Sequence, residues 1–167
     1  MDYIEQYKLL YEIKPKYGKT SIELLDIIKP VVKNIKSVLD YGCGKSSLID
    51  EISKLGIDTY RYDPAIDEYS IKPNKEVDLI ICTDVLQHVP IYDLDNVLKD
   101  IRSLSKSLFM KVKCTTHPTK LPNGEYANCT VYPKEWWINK IKEYYDKLEI
   151  IDWHDTDSII ILAKEDL

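Results

Sequence analysis

No Cys-x-x-Cys pair occurs among the four cysteines Cys43, Cys82, Cys114 and Cys129. Their scatter excludes a disulfide framework and offers no sequence-recognisable zinc site, so they read as free thiols of a reducing compartment. Long hydrophobic runs are missing too. Leu79–Cys82 and Ile159–Ala163 fall far short of the roughly 20 apolar residues that a membrane span needs. Met1-Asp2-Tyr3, followed soon by Glu5, lacks the basic, then apolar, order of a signal segment. A cytoplasmic location without a membrane partner is the resulting expectation. Arginine stands only at positions 61 and 102, which limits bidentate recognition of phosphate and guanine. A formal charge of -5 argues against a surface built to coat nucleic acid. The seven lysines from Lys8 to Lys36 keep a local basic patch open. Repeats, linkers and low-complexity stretches are absent.

What remains is a chain of 167 residues with 44% apolar content, the size of one compact domain. The expectation is a single domain over 1–167, with 1–33 as an N-terminal helical cover. Short β-like runs alternate with helical stretches, which indicates a layered α/β domain. Tyr3, Tyr7 and Leu10 share one helical stripe, and Lys14-Pro15 and Tyr17-Gly18 break it. Thr20 and Glu23 have capping-box spacing, with Leu24, Leu25 and Ile28 as the apolar face of a second helix. Pro30 should end or distort that helix.

Ser37–Tyr41 reads as the first strand and Ile57–Tyr62 as the second. Between them, Ser46 or Ser47 caps a helix whose buried stripe is Leu48, Ile52 and Leu55, and Gly56 follows where φ > 0 is often needed. Val77–Thr83 is an almost continuous apolar run, typical of a central parallel strand. Asp93 is expected to cap the next helix, ahead of a strand at Ser107–Cys114. A helix over Lys134–Leu148 and a closing hairpin of Glu149–Trp153 with Ser158–Lys164 complete the order. The fold class is therefore α/β: a doubly wound, mostly parallel sheet with a C-terminal antiparallel hairpin, its ligand site at the carboxyl ends of the central strands.

Gly42-x-Gly44, after a strand and before a capped helix, permits a tight turn and close backbone approach to a ligand. Asp63 follows about 20 residues later at the end of the next strand, where a carboxylate can accept hydrogen bonds from both hydroxyls of a ribose. A nicotinamide-binding loop wants a third glycine near Ser47. A triphosphate loop ending Gly44-Lys45-Ser46 wants its first glycine at Leu39, inside the strand. Asp40 is also poorly placed beside phosphates but compatible with a cationic sulfonium ligand.

Val38-Leu39-Asp40-Tyr41-Gly42-Cys43-Gly44 resembles the first motif of class I S-adenosylmethionine-dependent methyltransferases, and Asp78-Leu79-Ile80-Ile81-Cys82-Thr83-Asp84-Val85-Leu86-Gln87-His88 resembles their fourth-strand motif. The resemblance implies a Rossmann-like fold with S-adenosylmethionine as cofactor. It implies that Asp40, Tyr41, Gly42, Cys43 and Gly44 surround the methionine part. Asp63 then takes the ribose, Pro64 lies near the adenine, and Asp84 and Val85 approach the cofactor beside the acceptor. Leu121-Pro122-Asn123-Gly124-Glu125-Tyr126-Ala127-Asn128 with Pro133-Lys134-Glu135-Trp136-Trp137 is similar to small methyltransferase-like proteins encoded by bacteriophages.

Two departures stand out. Some fourteen residues separate Asp63 from Val77, so the third-strand region is shortened; Ser70–Lys72 is what remains of that strand, and Asp67 or Glu68 would replace the family's acidic contact to adenine. Gln87 stands where relatives commonly carry Glu. For the transfer itself, His88 and His117 are the candidate acid/base or acceptor-positioning residues, and His154 is structural. Tyr3, Tyr7, Tyr11 and Tyr17 either form part of a lid or simply pack the first helix on the sheet. One of Trp136 and Trp137 belongs in the core. The long 115–130 loop is expected to shape acceptor specificity. A small polar molecule is the expected acceptor. The motifs of base-flipping and cytosine C5 enzymes are missing, while other RNA or protein acceptors stay open, as does a non-catalytic binding role.

Overall fold

The computed structural model describes residues 2–165; of the expected 1–167 domain, Met1, Asp166 and Leu167 lie outside the described residues. The chain runs from helix α1 (Tyr3–Ile13) through a 3-10 turn (Thr20–Leu24) and α2 (Leu25–Val31) into β1 (Ser37–Tyr41). There follow α3 (Leu48–Ser53), β2 (Asp58–Tyr62), β3 (Leu79–Thr83), α4 (Ile91–Leu104) and β4 (Ser107–Lys113). Helix α5 (Lys134–Lys142) and the hairpin of β5 (Lys147–Ile151) and β6 (Ser158–Lys164) close the domain. Among the described residues no helix is long and apolar enough to cross a membrane.

The six strands form one sheet in the order β2-β1-β3-β4-β6-β5. Strands β2, β1, β3 and β4 are parallel, whereas β6 runs antiparallel to both β4 and β5. Strand order reverses between β1 and β3, and a crevice opens at their carboxyl ends for that topological reason. Successive residues of β1 point to opposite faces, and both faces are covered. Leu39, Ile80 and Met110 pack with Leu98, Ile101 and Trp137 on the α4–α5 side. Val38, Ile81 and Phe109 pack with Ile28, Leu48 and Ile52 on the α2–α3 side. Burial on both faces explains why β3 reads as an unbroken apolar run.

Several local expectations need correction. Ser70–Lys72 forms no strand: Asp63 N–H donates to the Tyr69 carbonyl, turning the chain back early, and Ile71 is 87% exposed. Pro73 then removes a donor that a ladder would need. Leu55 is half exposed, because α3 ends at Ser53 and Gly56 takes φ +81; Ile49 fills the buried position instead. Asp93 is not the cap of α4. Pro90 occupies that position, and Asp93 accepts a hydrogen bond from the Tyr3 hydroxyl at 2.8 Å. Thr20 and Glu23 make no capping box, since a 3-10 turn begins there and Glu23 is drawn to Lys111. Helix α5 stops at Lys142 rather than Leu148, which lets the Tyr145 ring enter the core and starts β5 two residues early.

Ser46 and Ser47 separate cleanly. Ser46 Oγ accepts the Leu48 N–H at 3.2 Å, whereas Ser47, at the cap position, makes no side-chain cap bond. Ser46→Ala should therefore lower the unfolding free energy by about 1 kcal/mol, and Ser47→Ala should leave it unchanged. Equal losses in urea melts would contradict this assignment.

Candidate active site

A cavity of about 740 Å³ opens over the carboxyl ends of β1 to β4. Tyr41, Gly42, Cys43, Gly44, Asp63, Pro64, Asp84, Val85, His88 and His117 all line it, so the residues singled out from sequence meet at one place. Asp40 is the exception. It is 2% exposed, lies outside the cavity lining, and its Oδ2 has no hydrogen-bond partner. Burial pushes its carboxyl up to about 7; nearby Arg61 opposes the shift and Asp63 adds to it. Asp67 and Glu68 are exposed and do not line the cavity, and Asp67 pairs with Lys8.

The glycine turn has a steric reason for each glycine. Gly42 takes φ +73, and a Cβ there would stand 2.4 Å from Val85 Cγ2. Gly44 takes φ +52, with the Gly18 carbonyl 3.0 Å from where a Cβ would be. The Gly42 and Cys43 N–H groups both donate to the Tyr62 carbonyl, which ties the turn to the end of β2. Asp63 comes one residue later. Its Oδ2 accepts from Gly44 N–H at 2.9 Å and from the Tyr11 hydroxyl at 3.3 Å, and its Oδ1 accepts from Ala65 N–H at 2.9 Å. Burial raises the Asp63 pKa above the ordinary carboxylate value, while the two backbone donors and Tyr11 pull it down.

Helix α1 covers this crevice. Tyr7 and Leu10 pack with Ala65, Leu121 and Ala127, which belong to loops at the crevice mouth. The helix thus sits on the ligand loops, not flat on the sheet, and the lid alternative describes its position. The Lys14–Gly18 turn continues the cover, with Lys45 N–H donating to the Gly18 carbonyl and Lys45 Nζ to the Tyr11 carbonyl.

Asp84, directly after β3, adopts φ 58, a conformation in which a side-chain-bearing residue stores about 1–3 kcal/mol of strain. It is held there by its N–H, which donates to the Lys111 carbonyl, and by Lys111 Nζ, 3.1 Å from Oδ2. Lys111 also pairs with Glu23 at 3.1 Å. Burial alone would push the Lys111 pKa down, but Asp84 and Glu23 outweigh it and hold the ammonium above its ordinary value. No local sequence pattern announces this triad, whose Glu23 and Asp84 stand 88 and 27 residues from Lys111 in the chain. The available signal was a lysine at alternate positions, Lys111 and Lys113, in an otherwise buried strand. Lys113 pairs with Asp155 at 3.0 Å.

His88 stands on a 3-10 turn, Leu86–His88, and its Nδ1 lies 2.9 Å from the Ala127 carbonyl oxygen. The Tyr7 hydroxyl donates to the same oxygen at 2.8 Å. Cys129 and Thr130 N–H groups donate to the Gln87 carbonyl, so the 115–130 loop is stitched to this turn. His117 lies exposed at the rim, with Nδ1 accepting the Thr119 N–H at 3.3 Å. His154 packs against Trp153 and does not line the cavity. Trp137 is the core tryptophan, whereas Trp136 stacks on Tyr132 with ring centroids 4.0 Å apart.

A family model described as methyltransferase domain matches residues 13–128. Among solved structures, a protein from Pyrococcus horikoshii OT3 is similar with TM-score 0.70 at 14% identity, over 95% of this chain and 99% of that one. Magnesium protoporphyrin IX methyltransferase from Synechocystis PCC 6803, crystallised with bound S-adenosylmethionine, gives TM-score 0.68 at 16% identity, over 99% and 98% of the two chains. An O-methyltransferase family protein from Burkholderia thailandensis gives 0.63 at 10% identity over 87% of this chain, which spans 56% of that protein's length. At these identities the likeness to solved structures is one of fold. No curated protein matches the sequence.

Proposed function

Because the chain belongs to the methyltransferase domain family, we propose that it transfers a methyl group from S-adenosylmethionine to a small polar acceptor. The observation that carries this reading is the convergence of the Gly42–Gly44 turn and the Asp63 carboxylate on one crevice at the strand switch point. The residues fit the donor. Asp63 would hold the two ribose hydroxyls, taking over the position that the Tyr11 hydroxyl now shares. Pro64 would flank the adenine, while Gly42, Cys43 and Gly44 offer backbone to the methionine part, with Tyr41 beside them. Asp40 does not touch the cavity; its carboxyl, pushed up to about 7 by burial, would be drawn toward its ionised form by a positively charged ligand bound nearby. Asp84 and Val85 stand between the donor side and the acceptor side.

The sulfonium supplies an activated methyl carbon; the chain's part is to align the acceptor with it and exclude water. His88 and His117 are the side chains available for proton handling, His88 from inside the cavity and His117 from its rim. The adenine contact expected of Asp67 or Glu68 passes to other groups. Asn96 and Asp100 of α4 line the cavity, and Asp100 accepts the Tyr41 hydroxyl at 2.7 Å. The acceptor reading rests on a concave cavity partly covered by α1, whose Tyr3, Tyr7 and Tyr11 line it; such a cleft suits a small molecule.

Incubation with S-adenosylmethionine carrying a radiolabelled methyl group, against separated metabolite, RNA, DNA and protein fractions, tests this. Label is expected in the metabolite fraction. Label in a polymer fraction overturns the acceptor class, and transfer to none overturns the catalytic reading.

A further inference from the structure

Lys111 stands in a strand whose other central residues are core. Two places back on the same face, Phe109 is fully buried on the α2–α3 side. The Lys111 side chain is only 7% exposed, yet it lines the cavity at the carboxyl end of β4. An ammonium at that depth needs partners. It has two carboxylates, Glu23 Oε1 and Asp84 Oδ2, each at 3.1 Å. Glu23 arrives on the 3-10 turn of the N-terminal cover. That turn is pinned in place: Leu24 is fully buried, and the Thr83 hydroxyl donates to Ser21 Oγ at 2.8 Å. One ammonium between two carboxylates leaves this floor of the cavity with a negative charge in excess.

Asp84 is the residue this ammonium controls. Lys111 holds it twice, through the carbonyl that accepts the Asp84 N–H at 2.9 Å and through Nζ on Oδ2. Only the second contact depends on the side chain at 111. Asp84 is within reach of a ligand, since its side chain is 24% exposed and lines the cavity. Its position there follows from the strand order β2-β1-β3. Asp63 ends β2 and Asp84 follows β3, so the two carboxylates flank the glycine turn of β1 from opposite sides. Val85, the next residue, closes on that turn, where a Cβ on Gly42 would come within 2.4 Å of it. Tyr17, from the segment lying over the glycine loop, is close enough to respond: burial first and Asp84 second push its hydroxyl up to about 12. A donor laid across the turn with its ribose at Asp63 therefore brings its amino-acid head to Asp84. The head's ammonium meets the excess negative charge of the floor.

Given the sulfur-nucleotide site proposed above, we propose that Lys111 is a positioning residue for the donor's amino-acid head. It fixes the Asp84 carboxylate where that carboxylate receives the head's ammonium, and Glu23 of the N-terminal cover holds Lys111 in place. Lys111 acts through Asp84 and touches no ligand itself. Removing its charge would make the floor more negative, which alone would attract the ammonium. Position outweighs that gain. A charge-assisted hydrogen bond requires the carboxylate within about 3 Å, whereas an added charge in a cleft open to water is screened. Without Nζ, nothing holds the Asp84 side chain against its strained backbone at φ 58.

Two ligands separate this role from a general weakening of the fold. S-adenosylhomocysteine carries the amino-acid head, and 5′-methylthioadenosine is the same nucleoside thioether without it. In titration calorimetry the wild-type protein should bind the first more tightly. Lys111→Met should weaken S-adenosylhomocysteine about 10-fold or more and leave 5′-methylthioadenosine unchanged. Asp84→Asn, which removes the charge but keeps a residue that tolerates φ > 0, should show the same selective loss. The double variant should lose no more than either single one, because Lys111 works through Asp84. If Lys111→Met does not fold, Glu23→Gln at a 45% exposed side chain carries the test. It should weaken S-adenosylhomocysteine about 3-fold, again without changing 5′-methylthioadenosine. Equal losses for the two ligands, unchanged or tighter S-adenosylhomocysteine binding, or fully additive losses in the double variant would overturn the proposal. So would a wild-type protein that binds both ligands equally. A wild-type protein that binds neither overturns the sulfur-nucleotide reading itself, and the role of Lys111 with it.

Discussion

Asp63→Ala should weaken S-adenosylhomocysteine binding by about 100-fold. Two hydrogen bonds from ribose hydroxyls to an ionised carboxylate contribute about 1.5 kcal/mol each at the low end, and about 3 kcal/mol corresponds to roughly that factor. The same substitution should also cost stability. Gly44 N–H and Ala65 N–H both end on this carboxylate, and losing it orphans two buried donors. Binding and unfolding must therefore be measured together, by titration calorimetry and by urea melts. Tyr11→Phe separates the two contributions. It removes the hydroxyl that shares Oδ2 while leaving both backbone bonds in place, so it should bind the ligand at least as tightly as the wild type. Unchanged affinity in Asp63→Ala would remove Asp63 from the ribose site. Weakened affinity in Tyr11→Phe would make Tyr11 a ligand contact instead of a competitor.

Gly42→Ala should destabilise the fold by about 2–5 kcal/mol, combining the left-handed penalty of about 1–2 with overpacking of about 1–3. The added methyl would sit 2.4 Å and 2.9 Å from the two Val85 methyls and 3.2 Å from Val85 Cβ, so rotating the valine cannot clear it. Gly56→Ala is the comparison. Gly56 has φ +81 but nothing within 4 Å of the added atom, so only the backbone penalty remains, about 1–2 kcal/mol. Adding Val85→Ala to Gly42→Ala should recover part of the loss. Equal costs at Gly42 and Gly56 would show that the close approach of β1's turn to Val85 has no energetic weight.

The features legible in the sequence were those set by local chemistry. β3 reads as a buried parallel strand because both of its faces are covered, and no alternation is left to confuse it. The two turn glycines are legible because φ > 0 and close approach leave few other choices, and Asp63 because a strand end fixes its place. Tertiary competition hid the rest. Glu23 is 88 residues from Lys111, and Tyr11 is 52 from Asp63. No local pattern announces either contact. The capping box failed for the same reason, since Glu23 gains more from a buried ammonium than from a helix end. Ser70–Lys72 looked like a strand remnant only because the fold normally has one there; the Asp63–Tyr69 turn uses up the chain that would have built it.

The central claim, that the crevice is a sulfonium-nucleotide site, is tested most directly by calorimetric titration of the wild-type protein with S-adenosylmethionine, S-adenosylhomocysteine, NAD and ATP. Both sulfur nucleotides should bind at one site per chain, and NAD and ATP should give no saturable heat. Tighter binding of NAD or ATP, with neither sulfur nucleotide bound, would contradict it.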